Sequence, residues 1–294
     1  MNQDLLFTKN VIVQGITGVH GRFQAESMLT AGTNIIAGTS PGKAGQMVRN
    51  IPVYDSIADI QKDYKVNASV IFVPARFTKS AIIEAIEAKV PLIICVTEGV
   101  PVNDMIEVKR LLKKSSSVLI GPNSPGLIAP GVNKLGIIPA DMSLEGHIAL
   151  VSRSGTLTYE TMASLTKRDL GQRYVIGIGG DPVRGIGFIE CLQLFQADQE
   201  VDKIVLIGEI GGTDEQEAAE YISTSITKPV FAYVAGHHAP VGVQMGHAGA
   251  ILGSTNESAD AKTTALKNAG ATTANSIGQL VDLVSCYTDN NEKD

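Results

Sequence analysis

The feature that most constrains this chain is a unit that recurs along most of its length: a short apolar run, a turn rich in glycine, proline or serine, then apolar residues at helical spacing. In the first half the apolar runs are Asn10–Val13, Asn34–Gly38, Ala68–Val73, Pro91–Val96 and Ser117–Ile120. Helical spacing follows over Phe23–Ala31, in the approach to Ile60 from Val53, and over Lys79–Ala88 and Asp104–Lys114. Short buried strands alternating with helices predict a doubly wound parallel sheet, whose ligands lie beyond the carboxyl ends of the strands. The loops Gly15–Gly21, Thr39–Lys43 and Val96–Glu98 are therefore expected to face one crevice. The pattern fades from Leu127 to Gly146, where Pro130, Gly131 and Pro139 interrupt it, and a small hairpin is expected near Ile137. It then resumes with strands at His147–Val151, Tyr174–Ile178, Lys203–Ile207, Val230–Val234 and around Thr272. Helices are expected from Leu157 onward and over Phe188–Ala197, Glu215–Ser223, Ala259–Ala269 and Ile277–Tyr287, with a frayed polar tail at Asp289–Asp294. The division that follows is a first α/β domain over 1–126, a connection over 127–146 and a second α/β domain over 147–294.

Composition sets limits on partners. With 294 residues, 44% hydrophobic and 18% charged, the chain has the make-up of an ordinary globular protein with room for two cores. The net charge of −6 is uneven: residues 1–145 hold 14 Lys/Arg against 12 Asp/Glu, and residues 146–294 hold 10 against 18. Without a basic stripe, nucleic acid is not an expected partner, although the first half suits a small anion. No apolar run approaches the roughly 20 residues that span a bilayer, so no membrane partner is expected either. Cys95, Cys191 and Cys286 lack metal-ligand spacing and lie in apolar settings, which predicts buried free thiols, a reducing compartment and no metal site. The start Met1-Asn2-Gln3-Asp4 carries an early acid and no basic region, so the expectation is a cytoplasmic protein, with a processed matrix protein as the alternative.

Four loops carry recognisable chemistry. Gly15-Ile16-Thr17-Gly18-Val19-His20-Gly21 joins the first strand to the first long helix, and backbone N–H groups at such a helix start favour a phosphate. Its Gly-x-x-Gly-x-x-Gly spacing differs from the dinucleotide fingerprint, and the second strand ends in Thr39-Ser40-Pro41-Gly42-Lys43 where an NAD site would place an acid. A lysine there suits a ligand with an extra phosphate near its ribose, and NADP and coenzyme A both qualify. A second anion-holding helix start follows Ser152-Arg153-Ser154-Gly155-Thr156, with Ser154 or Thr156 as cap. This turn is not the nucleophile elbow of hydrolases, since Ser152 and Thr156 stand where that elbow requires glycine. Finally, Gly246-His247-Ala248-Gly249-Ala250-Ile251 sets one imidazole among small residues, as a nucleophilic histidine requires. If the strand ends share one edge, Glu209 can accept the other ring N–H and fix the tautomer, while the Ser154 helix start holds a phosphoryl group.

Eight blocks in order resemble the α subunits of succinyl-CoA synthetase (succinate–CoA ligase), from about Lys9 to Val284: Gln14–Gly18, Pro41–Lys43, Val96–Gly99, Gly121–Asn123, Ser152–Glu160, Gly177–Pro182, Gly208–Gly212 and Gly246–Ile251. The resemblance implies a Rossmann-like CoA-binding domain followed by a flavodoxin-like doubly wound domain. It also implies an acid–thiol ligase that forms succinyl-CoA reversibly from succinate, CoA and a nucleoside triphosphate, in the tricarboxylic acid cycle. By the same resemblance His247 is the phosphorylated histidine and Glu209 the acid that orients it. Thr17, Gly18, Val19, His20, Lys43, Val96, Thr97 and Glu98 are CoA-contacting positions, His20 through its backbone more than its ring. Ser154 and Gly155 hold phosphate and Tyr159 contacts substrate. A β subunit, in an αβ or α2β2 assembly, is implied as the carrier of nucleotide and Mg2+. Ser124 departs from the family, many of whose members have cysteine there. The alternatives are a ligase of the same family for another dicarboxylate such as malate and, in another class, an NADP-dependent oxidoreductase.

Overall fold

A computed structural model describes residues 3–287. The expected frayed tail Asp289–Asp294 lies outside the described residues. After a short helix α1 (Gln3–Leu6), the first half contains β1 (Val11–Gln14), α2 (Val19–Thr30), β2 (Ile35–Thr39), β3 (Met47–Val48), β4 (Ile51–Tyr54), α3 (Ile57–Ile60), β5 (Ala68–Ile71), α4 (Ala75–Glu87), β6 (Leu92–Cys95), α5 (Val102–Leu112) and β7 (Val118–Ile120). Its sheet has the order β3-β4-β2-β1-β5-β6-β7. All pairs are parallel except β3 with β4. The buried strands β1, β5 and β6 are largely apolar because helices cover both sides, and the two polar side chains they bury, Gln14 and Ser69, hydrogen-bond to each other at 2.7 Å. Strand order reverses at β1, which lies between β2 and β5, so a crevice opens beyond their carboxyl ends.

The second half begins with the hairpin β8 (Gly126–Ala129) and β9 (Asn133–Gly136), followed by β10 (Glu145–Ser152), α6 (Gly155–Thr166), β11 (Gln172–Gly177), α7 (Phe188–Ala197), β12 (Lys203–Glu209), α8 (Asp214–Ser225), β13 (Val230–Ala235), α9 (Ala259–Asn268), β14 (Thr272–Ala274) and α10 (Ile277–Cys286). The sheet order is β14-β13-β12-β10-β11-β8-β9, with the hairpin antiparallel on β11. Most of the 127–146 connection is thus an edge of the second sheet. Here strand order reverses at β10, between β11 and β12, which brings the turns after β10 and β12 side by side.

The halves share one core: buried Val13 and Ile94 of the first sheet belong to the same apolar cluster as Leu127, Val151 and Leu206 of the second. Hydrogen bonds also tie them, from Gly185 N to Gly121 O at 2.9 Å and Ile186 N to Leu119 O at 2.9 Å. Thr33 Oγ1 donates to Lys134 O at 2.7 Å.

Helix boundaries differ from the sequence reading at three N-termini. Helix α2 starts at Val19, not Phe23, because its exposed first turn carries no apolar stripe. Helices α4 and α5 start directly after Pro74 and Pro101, which are their N-cap residues with extended ψ. The thiols also divide: Cys95 and Cys191 are buried, and burial pushes the Cys95 thiol up to about 12, whereas Cys286 is exposed on α10, contrary to expectation. Its helix buries the stripe Ile277, Leu280, Val281 and Val284, and position 286 falls off that face.

Candidate functional site

The turn after β10 is built by its own hydroxyls. Ser152 Oγ accepts from Ser154 N at 3.1 Å and donates to Ser154 O at 2.9 Å. Ser154 is the N-cap of α6, its hydroxyl accepting from Leu157 N at 3.3 Å. Gly155 and Thr156, as the first helical residues, have amides without intrahelical acceptors. The Tyr159 hydroxyl stands 3.9 Å from the place a Gly155 Cβ would occupy, and burial pushes its phenol up to about 12. The helix start, its cap and the phenol therefore form one neutral donor-rich corner.

The neighbouring strand β12 ends at Glu209, which is 6% exposed. Glu209 Oε2 lies 2.7 Å from His247 Nδ1. A buried carboxylate only accepts, so Nδ1 carries the proton and Nε2 keeps its lone pair. Among the described residues Nε2 makes no hydrogen bond, and 25% of the side chain is open. The hydrogen bond to Glu209 holds the imidazole above its ordinary pKa, against the opposing effect of burial. The histidine loop is a hairpin of its own, with Met245 N donating to Ala250 O at 2.9 Å and Gly249 N reaching across to Gly180 O at 3.0 Å.

The glycine that makes room for the ring is Gly180, in the turn after β11. A Cβ there would stand 2.2 Å from His247 Cγ and Nδ1. Gly246 has φ +80° and nothing within 4 Å of an added Cβ, so it serves the turn, not the ring.

The first sheet's crevice is a cleft of 720 Å³ at the reversal point, lined among others by Thr17, Gly18, Ser40, Lys43, Val73 and Phe77. Lys43 Nζ donates to Thr17 Oγ1 at 3.2 Å, and Thr17 Oγ1 donates to Ser40 Oγ at 2.8 Å. The loop needs Gly21, since a Cβ there would meet Gly15 O at 2.2 Å. Val19 and His20 form the exposed first turn of α2, with amides lacking intrahelical acceptors. Their side chains do not line the cleft. Thr97 Oγ1 donates to Val73 O at 2.7 Å, bracing the cleft wall beside half-buried Val96. Glu98 instead lines a smaller cavity of 190 Å³ between the halves, with Asn123, Asp181, Gly246 and Ala248. Asn123 Nδ2 donates to Asp181 Oδ1 at 3.0 Å, and burial raises the Asp181 pKa. Glu98 thus links the cleft loops to the histidine loop.

Several residues escaped the sequence reading. Arg153 is 2% exposed, and its Nη2 lies 3.2 Å from Glu209 Oε1. Glu215 and Lys262, both 0% exposed, pair behind it. The only sequence signal was Arg153 between two serines at a strand end. Glu215 stands among Asp214 and Glu217 in one helical turn, and nothing in that run singles it out. Ser124 is buried, its hydroxyl donating to Gly177 O and accepting from Gly126 N at 2.8 Å, so the position is a structural tie between the halves. Among the described residues no group of three His, Cys, Asp or Glu is placed to hold a metal, and no helix is long and apolar enough to cross a membrane.

The chain matches the CoA binding domain family over residues 8–99 and the CoA-ligase family over residues 151–272. It is 47% identical over 271 residues to succinate–CoA ligase [ADP-forming] subunit alpha 1 of Archaeoglobus fulgidus, covering 92% of this chain and 93% of that one. It is 50% identical over 263 residues to succinate–CoA ligase [ADP-forming] subunit alpha of Aquifex aeolicus, covering 89% and 86%. A solved structure of ATP citrate lyase from Methanothrix soehngenii, in complex with citrate and coenzyme A, superposes with a TM-score of 0.86 at 25% identity. That match takes in 95% of this chain and 50% of the lyase chain, so the present chain spans half of that protein. With such identity over nine-tenths of its length, the chain belongs to the family of succinate–CoA ligase α subunits.

Proposed function

We propose that this chain is the α subunit of an acid–thiol ligase that forms succinyl-CoA from succinate, CoA and a nucleoside triphosphate, with His247 as the phosphate carrier. The observation that carries the reading is the 2.7 Å bond from Nδ1 to Glu209, which leaves Nε2 as a free lone pair on a part-open ring. In the first step that lone pair attacks the terminal phosphorus, and the nucleoside diphosphate leaves with the electrons of the broken P–O bond. A succinate carboxylate oxygen then attacks phosphorus, the P–N bond breaks back onto Nε2, and succinyl phosphate forms. The CoA sulfur adds to its carbonyl carbon and expels inorganic phosphate, the thiol proton leaving with it. Splitting the reaction makes each step a displacement at one positioned centre.

Glu209 supports the imidazolium character that develops as the P–N bond forms. The unpaired amides at Gly155, with the Ser154 cap, suit the phosphoryl oxygens, which need donors and no metal from this chain. Tyr159 beside them is our assignment for contact with the dicarboxylate, and its neutral hydroxyl donates without adding charge. We assign the Thr17–Lys43 cleft to the phosphate-bearing end of CoA, with the amides of Gly18, Val19 and His20 as anion donors. The Val96–Glu98 loop leads from that cleft towards His247. Nucleotide and Mg2+ we place on a β subunit in an αβ or α2β2 assembly, in the cytoplasm.

The test is incubation of the chain and its β subunit with terminally labelled triphosphate. The expected product is an acid-labile, base-stable label on His247, absent in His247→Asn. Label on Ser154, or label that survives acid, overturns the mechanism.

A further inference from the structure

Behind the His247–Glu209 pair lies a knot of charge that the reaction itself does not use. Glu215 is its hub. Its carboxylate accepts from Arg153 Nη1 at 3.1 Å, from the Glu209 backbone amide at 3.1 Å and from Lys262 Nζ. Lys262 Nζ also donates to the carbonyls of Glu209 at 2.8 Å and Gly211 at 2.7 Å. Arg153 Nη1 adds a bond to Gly211 O at 3.0 Å. Two cations and one carboxylate thus pin the end of β12 from helices α8 and α9 and from the turn after β10. A buried ion cluster of this kind is weak evidence for stability, since apolar residues of like volume often serve as well. Its directional content is another matter. One arm of the Arg153 fork is hydrogen-bonded to Glu215, and the other stands 3.2 Å from Glu209 Oε1 as an ion pair, without hydrogen-bond alignment.

We propose that Arg153, locked by Glu215, is a positioning residue that holds Glu209 Oε1, so that Oε2 alone faces His247 Nδ1 and the ring presents Nε2. This rests on His247 being the phosphorylated residue. A carboxylate turns easily about its terminal torsion, and a single-point donor leaves it free to do so. A planar guanidinium hydrogen-bonded to Glu215 through one nitrogen keeps its other nitrogen, and its charge, at a fixed place beside Glu209 Oε1, which the single ammonium of lysine cannot reproduce. The charged groups facing the imidazole are Glu209 from β12, Arg153 from the turn after β10, Glu98 from the loop after β6, and Asp181 from the turn after β11. Replacing Arg153 by lysine keeps the cation near the ring and removes only the fork.

The experiment uses the full chain with its β subunit and labelled histidine nitrogens. Three things are read: the tautomer and titration of His247 by nitrogen NMR, the single-turnover phosphorylation rate, and CoA affinity. The wild type is expected as the Nδ1–H tautomer. Arg153→Lys is expected to retain CoA affinity within about twofold, lose about 10- to 100-fold in phosphorylation rate, and show a mixture of tautomers. If Arg153→Lys does not fold, Glu215→Gln frees the same fork and is read in the same way. If neither folds, the wild-type tautomer decides, and an Nε2–H ring overturns the proposal. Arg153→Lys with unchanged tautomer and rate overturns it as well. A wild type that takes no label on His247 is the separate failure of the phosphohistidine reading.

Discussion

Gly180→Ala is the sharpest perturbation of the ring that leaves every functional group in place. The backbone at Gly180 is not left-handed, so alanine brings no conformational penalty of its own. The new methyl, however, would stand 2.2 Å from His247 Cγ and Nδ1 and 2.7 Å from Cβ. Non-bonded carbons settle at about 3.5 Å or more, so the ring must retreat by roughly 1 Å. That retreat takes Nδ1 from 2.7 Å to beyond the hydrogen-bonding range of Glu209 Oε2. A reacting group misplaced by about 1 Å loses on the order of 100-fold in rate, or about 2.7 kcal/mol of activation free energy. Overpacking costs about 1–3 kcal/mol, offset in part by the roughly 0.4–1 kcal/mol that alanine gains over glycine through the unfolded chain. The variant should therefore stay folded. The assay is quenched-flow phosphorylation of His247 with the β subunit, beside a thermal melt and CoA titration. The expected result is a rate near one-hundredth of wild type with CoA affinity unchanged. A rate within threefold of wild type, in a folded variant, would refute the claim that Gly180 sets the ring.

Three further outcomes follow from charge. The Glu209 hydrogen bond raises the His247 pKa, so the protonated ring stabilises the fold. That contribution is complete below about 6.5, the ordinary imidazole value, and is lost as pH rises through the higher folded value. The stability gap between wild type and His247→Asn should thus be widest near pH 6 and narrow by pH 9, and a gap that widens with pH contradicts it. Phosphorylation needs the neutral ring and should rise over the same range, its midpoint moving to lower pH in Glu209→Gln. Lys43→Glu reverses the charge 3.2 Å from Thr17 Oγ1 at the cleft mouth and should raise the KM for CoA about tenfold, roughly 1.4 kcal/mol, with His247 labelling intact. Lost labelling would show that the two sites are not separate.

What could be read from the sequence, and what could not, divides along physical lines. Strands β1, β5, β6, β10 and β12 announce themselves because burial on both faces keeps their buried stretches mostly apolar, with Gln14 and Ser69 among the buried polar exceptions. The approach of Glu209 to His247 was legible as chemistry, since both sit at strand-end loops that the alternation predicts on one edge. The start of α2 was not, because its first turn is solvent-facing and its glycines answer to a backbone contact with Gly15. The Arg153–Glu215–Lys262 cluster was equally hidden. Residues 62 and 47 positions apart meet only through the tertiary fold, and lysine and glutamate in helices read by default as solvated faces. The assignment of 127–146 to a connection missed that its hairpin completes a sheet, since four-residue strands broken by proline and glycine carry little periodicity.

The manner in which the halves are joined bears on how phosphate and CoA meet. Both crevices lie at points where strand order reverses, and both are fixed to one frame by the shared core and by the bonds of Ile186 to β7 and of Gly185 to Gly121 just beyond it. Lys109 adds a clamp, its Nζ donating to Arg184 O and Gly185 O at 2.6 Å. The ring is just as constrained: Glu209 holds Nδ1, Gly180 lies against its face, and Gly249 ties its loop to Gly180 O. Swinging His247 towards the Thr17–Lys43 cleft would break a charge-assisted bond, on the order of 1.5–3 kcal/mol, and leave buried Glu209 with only its ion pair to Arg153. Bringing the substrates to the ring breaks nothing. We assign the flexible part of the system to the CoA arm, which on the proposed reading runs from the Thr17–Lys43 cleft past Glu98 into the cavity beside Gly246. A substitution that fills that cavity, such as Ala248→Leu, should spare His247 labelling and slow thioester formation, and equal loss of both steps would put the moving part back in the histidine loop.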